Sequence, residues 1–397
     1  MTVTQRLLAA KALRGFGDGF VSLLLPAYLI HLGFSAFQVG LIATTTLLGS
    51  GLLTMAIGLY GGRWGQRRLL LLASVLMAAT GIAMAAVGSF WPLMLVALVG
   101  TLNPSGGDVS MFMPVEHAML AQNAEGKQRT AAFARYSLAG SVSNAVGALA
   151  AALPALAASR FGIDTQTAIK GMFVLYAALA VANALFYRGL PPASVHQHDE
   201  AHAALGPSRS RVYTLAALFS LDAFGGGFVV QSLVALWLYQ RFGLSLEAAG
   251  SLFFWTGLLT AVSYLVATRI AQRIGLVRTM VYTHLPSSLC LIAIPFCDSL
   301  AVVIALLLVR SALSQMDVPT RSSYVMAIVQ PQERPAAASV TSVPRSLAAA
   351  ASPALAGYLL GLSGFGWPLV AGGALKILYD LLLLGMFQRV RPPEEAG

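Results

Sequence analysis

The chain has 397 residues, 57% of them hydrophobic and only 10% charged, with a mean hydropathy of +0.75. Soluble domains carry about 25% charged residues and need a polar surface, so this composition excludes a water-soluble globular protein and makes lipid the solvent for most of the chain. A formal net charge of +10 raises the question of a nucleic-acid partner, which only the distribution of the bases can answer.

Apolar runs lie at 8–31, 37–60, 68–88, 91–120, 130–157, 166–187, 212–239, 246–268, 277–297, 300–328, 336–361 and 367–388. Each reaches the roughly 20 residues that cross a bilayer as helix. None alternates every second residue as membrane β-strands do, and helices satisfy their backbone groups internally. The expectation is an all-α membrane protein of twelve transmembrane helices in two six-helix bundles, 1–190 and 211–397, joined by a cytoplasmic linker at 191–210. Alternate loops divide the bases unequally. One side collects Arg6, Arg63, Arg67, Arg68, Arg188, Arg209, Arg273, Arg278 and Arg389, among others, and the opposite side little beyond Arg160, Lys170 and Arg241. This positive-inside bias puts both termini in the cytoplasm, in a bacterial cell at the inner membrane, and accounts for the basic charge without nucleic acid.

In the first span Arg14 and Asp18 stand one turn apart, a spacing that allows an internal pair or leaves both for a substrate. The second span ends in GLYGGRWGQRR, Gly58 to Arg68, and this basic turn recurs. Moved by 210 positions, Arg63, Gly65 and Arg68 fall on Arg273, Gly275 and Arg278, while Gly33, Ser35, Arg135 and Gly147 fall on Gly243, Ser245, Arg345 and Gly357. A chain that repeats itself without a gap is built as two similar halves, an arrangement common in membrane carriers.

Gly58, Arg63, Gly65, Arg67 and Arg68 resemble the loop signature of the major facilitator superfamily, with Gly62 where that family has an acid. The resemblance extends over the whole chain through span count and repeat. It implies the major facilitator fold, cytoplasmic gate loops at Arg63, Gly65, Arg68, Arg273, Gly275 and Arg278, and a central cavity lined by the first, fourth, seventh and tenth spans.

The fourth span is interrupted by Asn103, Pro104, Ser105, Gly106 and Gly107, followed by Asp108, Glu116 and His117. Proline and paired glycines at membrane depth break a helix and free backbone groups that need polar company. Asp108, with no cation within two turns of its own helix, is the leading candidate to carry a proton, ahead of Asp222 and Glu116. Gly140, Asn144, Gly147 and Ala151 in the fifth span, and Ala350, Ala354, Gly357 and Gly361 in the eleventh, form small-residue stripes read as the faces on which one half rocks against the other. In the linker His196, His198, Asp199 and His202 offer a weak metal set. Asp222 in the seventh span precedes three glycines. Arg310, Asp317 and Arg321 share one stripe of the tenth. Lys376 and Asp380 in the twelfth read as a one-turn structural pair. Cys290 and Cys297 sit roughly 10 Å apart along a helix, too far to bridge.

The cavity set carried over from the resemblance is therefore Arg14, Asp18, Asp108, Glu116, Asp222, Arg310, Asp317 and Arg321, and buried charge belongs where water and solute enter. The expected function is secondary active transport of a small solute by alternating access, as a monomer, with protons as coupling ion and no cofactor. Export is preferred because acids outnumber bases in this set. Uptake of an organic anion by proton symport is the alternative, and a carrier-like sensor that does not transport a further one.

Overall fold

The computed structural model describes residues 1–60, 64–105, 110–123, 126–191, 206–330 and 333–390, and among them every regular element is helical. In chain order these are α1 (Val3–His31), α2 (Ala36–Tyr60), α3 (Gln66–Ala86), α4 (Phe90–Val99), α5 (Phe112–Gln122), α6 (Gly126–Ala150), α7 (Leu153–Phe161) and α8 (Thr165–Arg188). There follow α9 (Arg209–Gly227), α10 (Gln231–Phe242), α11 (Leu246–Ile274), α12 (Leu276–Ala293), α13 (Leu300–Leu313), α14 (Asp317–Ile328), α15 (Arg334–Leu362) and α16 (Trp367–Phe387). They make twelve spans, because α4/α5, α6/α7, α9/α10 and α13/α14 are each one span in two pieces. Among the described residues ten spans are long and apolar enough to cross a bilayer unaided; the other two are the broken α4/α5 and the proline-containing α15.

The internal repeat is visible in the turns. Gly33 and Gly243 both take left-handed φ values, +85° and +60°, which end one helix, and two residues later Ser35 and Ser245 cap the next. The Ser35 hydroxyl accepts the Gln38 N–H at 3.3 Å, the Ser245 hydroxyl the Ala248 N–H at 3.2 Å.

Two compact units form, Met1–His198 with Val230–Gly257, and Asp199–Val229 with Leu258–Gly397. In the first, α1 is the central helix and packs on α6 and α8. Its backbone approaches α6 through glycine: a Cβ at Gly15 would stand 2.7 Å from the Gly140 carbonyl oxygen, and Gly147 in turn faces the Phe16 carbonyl. The fifth-span stripe is thus occupied inside its own bundle, where close backbone approach replaces the hydrophobic drive that lipid does not supply. That corrects its expected use as a face between halves. In the second unit α9 meets α15 at Gly227, where a Cβ would collide with the Ala349 carbonyl oxygen, and through the Ser352 hydroxyl, which donates to the Phe224 carbonyl at 2.6 Å, while a Cβ at Gly361 would meet nothing within 4 Å.

The fourth span breaks as its residues require, and its freed groups find partners. Ser105 donates its N–H and its hydroxyl to Asn103 Oδ1 at 3.1 and 2.6 Å. The Thr101 carbonyl accepts the Tyr176 hydroxyl at 3.0 Å, and the Pro104 carbonyl the Ser232 N–H at 3.1 Å. The breaks in the seventh and tenth spans were not foreseen. They follow from the low helix propensity of Gly225, Gly226 and Gly227, and from Pro319, which cannot donate back across the turn that starts α14.

Candidate functional site

In the first unit the chemistry centres on one carboxylate. Glu116 on α5 is fully buried and faces Arg14 on α1, itself 4% exposed. Arg14 grips it with both terminal nitrogens, Nη1 to Oε1 at 2.9 Å and Nη2 to Oε2. Two phenols complete the shell: the Tyr187 hydroxyl donates to Oε1 at 2.6 Å and the Tyr136 hydroxyl to Oε2. Phe112 lies under the guanidinium at 4.3 Å, and Lys11 stands 5.2 Å over the Tyr136 ring. A bidentate arginine plus two hydroxyls saturates the acceptor sites of a carboxylate, so this is a closed anchor. Asp18, half-buried, hydrogen-bonds Asn103 in the broken fourth span instead of pairing with Arg14. The one-turn Arg14–Asp18 pair is replaced because Glu116 offers Arg14 the bidentate geometry that a neighbour on the same helix cannot.

The second unit holds a shared network. Asp222 on α9 accepts Lys376 Nζ from α16 at 2.7 Å through Oδ1, and Arg321 Nη1 from α14 at 3.0 Å through Oδ2. The same Arg321 nitrogen lies 3.2 Å from Asp317 Oδ2, one turn back. His284 on α12 sits on the far side, its Nε2 3.4 Å from Lys376 Nζ and 3.7 Å from Asp222 Oδ1. Its Nδ1 is 3.0 and 3.1 Å from the two oxygens of Asp380. Phe219 flanks Arg321 at 5.5 Å. The expected Lys376–Asp380 pair does not form: each turns to another helix, Lys376 to Asp222 and Asp380 to His284.

Of the candidates from the sequence, Arg14 and Glu116 come together in one unit and Asp222, Asp317 and Arg321 in the other, with Asp18 near Arg14 and facing Asn103. Arg310 on α13 stands apart, without an ion pair among the described residues; its carbonyl accepts the Ser287 hydroxyl at 3.4 Å. Asp108, Arg63 and the linker set His196, His198, Asp199 and His202 lie outside the described residues. Gly65 and Gly275 begin α3 and α12, and Arg68, Arg273 and Arg278 are exposed without ion pairs among the described residues. Sequence reasoning missed Lys11, Tyr136, Tyr187, His284 and the half-buried Arg345, whose enclosed Nε has no hydrogen-bond partner among the described residues. A histidine within an apolar run was the one available signal for His284.

A family model described as Major Facilitator Superfamily matches residues 7–235 and 215–397. An uncharacterized membrane protein of Saccharomyces cerevisiae is 24% identical over 415 residues, covering 96% of this chain and 92% of that protein. Similar solved structures include a bacterial homologue of the human lysosomal transporter Spinster, inward-facing and occupied, with 16% identity and a TM-score of 0.76 over 98% of this chain and 97% of that one. A D-xylose–proton symporter has 14% identity and a TM-score of 0.76 over 96% of each chain. The human organic anion transporter MFSD10 has 21% identity and a TM-score of 0.68 over 96% of this chain and 98% of that one. At these identities the structural likeness is one of fold.

Proposed function

The chain belongs to the major facilitator superfamily, whose members carry small solutes across membranes by alternating access, and from that premise we propose that this one is driven by the proton gradient and takes up an organic anion in symport. The observation that carries the reading is the arrangement at Asp222, one buried carboxylate between two cations on different helices. A proton entering this network releases a cation, and a buried cation without a counter-ion is costly until an anion reaches it. Proton alone or anion alone leaves an unpaired charge at membrane depth. Both together, or neither, leave the charges balanced, and only those two states are cheap to carry across.

The preference for export rested on acids outnumbering bases, and that excess does not survive the described interior. Lys11, Lys376 and Arg345 join Arg14, Arg310 and Arg321, against Asp18, Glu116, Asp222, Asp317 and Asp380. The balance supports an anionic cargo over a cation. Counterflow of labelled benzoate, uridine, D-xylose and tetraphenylphosphonium in proteoliposomes, with and without a pH gradient, tests both parts. Benzoate accumulation under an acid exterior is expected, with loss of that accumulation in Asp222→Asn. Proton-driven expulsion of tetraphenylphosphonium would restore the export reading, and indifference of every flux to the gradient would remove proton coupling. Asp108→Asn is the parallel test for the acid outside the described residues.

A further inference from the structure

His284, Lys376 and Asp380 come from the ninth and twelfth spans, which the family resemblance does not assign to the cavity, and they meet Asp222 of the seventh, which it does. α12 and α16 approach closely because Gly373 has no side chain: a Cβ there would stand 3.0 Å from the Ser288 carbonyl oxygen. One turn back along α12, that approach sets His284 between Lys376 and Asp380. All of these groups are interior, with side-chain exposures of 3% for His284, 0% for Asp380, 12% for Lys376 and 6% for Asp222.

The two ring nitrogens face opposite environments. Among the described residues the polar partner of Nδ1 is the Asp380 carboxylate, an acceptor, which makes Nδ1 the nitrogen that carries the proton in the neutral ring. Nε2 then presents a lone pair to the Lys376 ammonium at 3.4 Å. If Nε2 gains a proton it becomes a second donor, two cations stand at that distance in a buried site, and the acceptor within reach is Asp222 Oδ1 at 3.7 Å, which Lys376 already holds. Protonated His284 and Lys376 compete for one oxygen.

We propose that His284 Nε2 is the proton-binding site that drives this carrier, and that its protonation transfers Asp222 Oδ1 from Lys376 to His284 and frees the Lys376 ammonium to bind the carboxylate of an anionic solute. The proposal rests on the anion-symport reading above and deepens it by naming the atom that takes the proton and the group that takes the cargo. The proton comes from water and no covalent bond to carbon changes.

The surrounding charges are arranged for such a step. α12 packs on α13, α14 and α16. From α16 come Lys376, Asp380 and Tyr379, whose ring lies edge-on to His284 at 6.0 Å and whose hydroxyl has no hydrogen-bond partner. From α14 come Asp317 and Arg321, the latter fixed on the other oxygen of Asp222. Arg310 on α13 stands beside Cys290, and Arg345 on α15 lies in the field of Arg321, Asp222 and Asp317. Within ion-pair contact, the carboxylates of Asp222, Asp317 and Asp380 face the permanent cations Arg321 and Lys376. Arg345 brings the permanent cations to three, level with the three carboxylates, so a proton on His284 adds a positive charge that an incoming anion balances.

Two measurements on the full-length chain in lipid nanodiscs test this without knowledge of the natural solute. Hydrogen exchange, corrected for intrinsic rates, should show protection in the peptides of α9 and α16 falling about tenfold between about pH 8 and about pH 5.5 in the wild type. In His284→Gln the same peptides should show no pH dependence. The ¹⁵N signals of the ring should titrate over that interval, with assignment by their displacement in Asp380→Asn should His284→Gln not fold. An unchanged protection profile in His284→Gln, or a His284 ring that never titrates, overturns the proposal. In proteoliposomes His284→Gln should lose both pH-driven benzoate accumulation and benzoate counterflow, because Lys376 then stays on Asp222. A wild type that switches protection with pH but carries no benzoate overturns the anion reading and leaves the proton site standing.

Discussion

The two units solve the same physical problem, a carboxylate deep in a lipid-embedded helix bundle, in opposite ways. Glu116 is enclosed by one arginine and two phenols that bond to no other carboxylate among the described residues. Asp222 shares Arg321 with Asp317, and shares Lys376 with a histidine that is itself tied to Asp380. A saturated acid resists change because any loss of a partner exposes charge with no substitute nearby. A shared acid can exchange partners at low cost, which is what a transport cycle requires of at least one half of the molecule.

The sharpest way to break the contrast is Glu116→Gln. It leaves Arg14 buried without a counter-ion and is expected to lower the unfolding free energy by about 3–5 kcal/mol, read from denaturation in detergent. Asp222→Asn should cost less, about 1–3 kcal/mol, because Asp317 still holds Arg321, yet it should abolish gradient-driven transport. Equal destabilisation by the two variants would erase the distinction between anchor and exchange site. Tyr136→Phe removes one hydrogen bond to a charged acceptor and is expected to cost about 2 kcal/mol with transport retained. Gly147→Ala forces α6 away from the Phe16 carbonyl and should destabilise by about 1–3 kcal/mol, seen as a lower Tm.

The smallest effect lies outside the membrane spans, at Glu333. Its carboxylate accepts the N–H groups of Gly206 at 2.6 Å, Ser208 at 3.4 Å and Gln330 at 3.3 Å, tying the start of α9 to the turn before α15. Hydrogen bonding, from the Ser208 side chain first and then from these backbone groups, holds its carboxyl below the usual range. A depressed carboxyl contributes stability that is present above its unfolded value, about 4.3, and is lost as pH falls through the lower folded value. Amide protection at residues 206–212 should therefore hold from about pH 8 to about pH 5 and decline below about pH 4. In Glu333→Gln it should be low throughout.

Much of the frame was legible before any coordinates. The broken fourth span follows from Asn103, Pro104 and Ser105, and the repeated turns from Gly33 with Ser35 and Gly243 with Ser245, since these are rules about a few neighbouring residues. One-turn spacing was an uneven guide to charge pairing: Asp317–Arg321 does form. Arg14–Asp18 and Lys376–Asp380 are one turn apart on their helices, and neither pair forms, because each group has a better-placed partner elsewhere. The small-residue stripe of the fifth span was recognised as a packing face but assigned to the wrong neighbour.

The sequence by itself determined twelve lipid-crossing helices, the doubling of a six-helix plan and the family, because hydrocarbon imposes its demands span by span and turn by turn. Only the tertiary structure decided which acid meets which base. Arg14 and Glu116 are 102 positions apart, Asp222 and Lys376 154, and His284 and Asp380 96. Helix packing, set by glycines such as Gly15 and Gly373 that let backbones touch, brings those side chains within bonding distance, and no local periodicity records that choice.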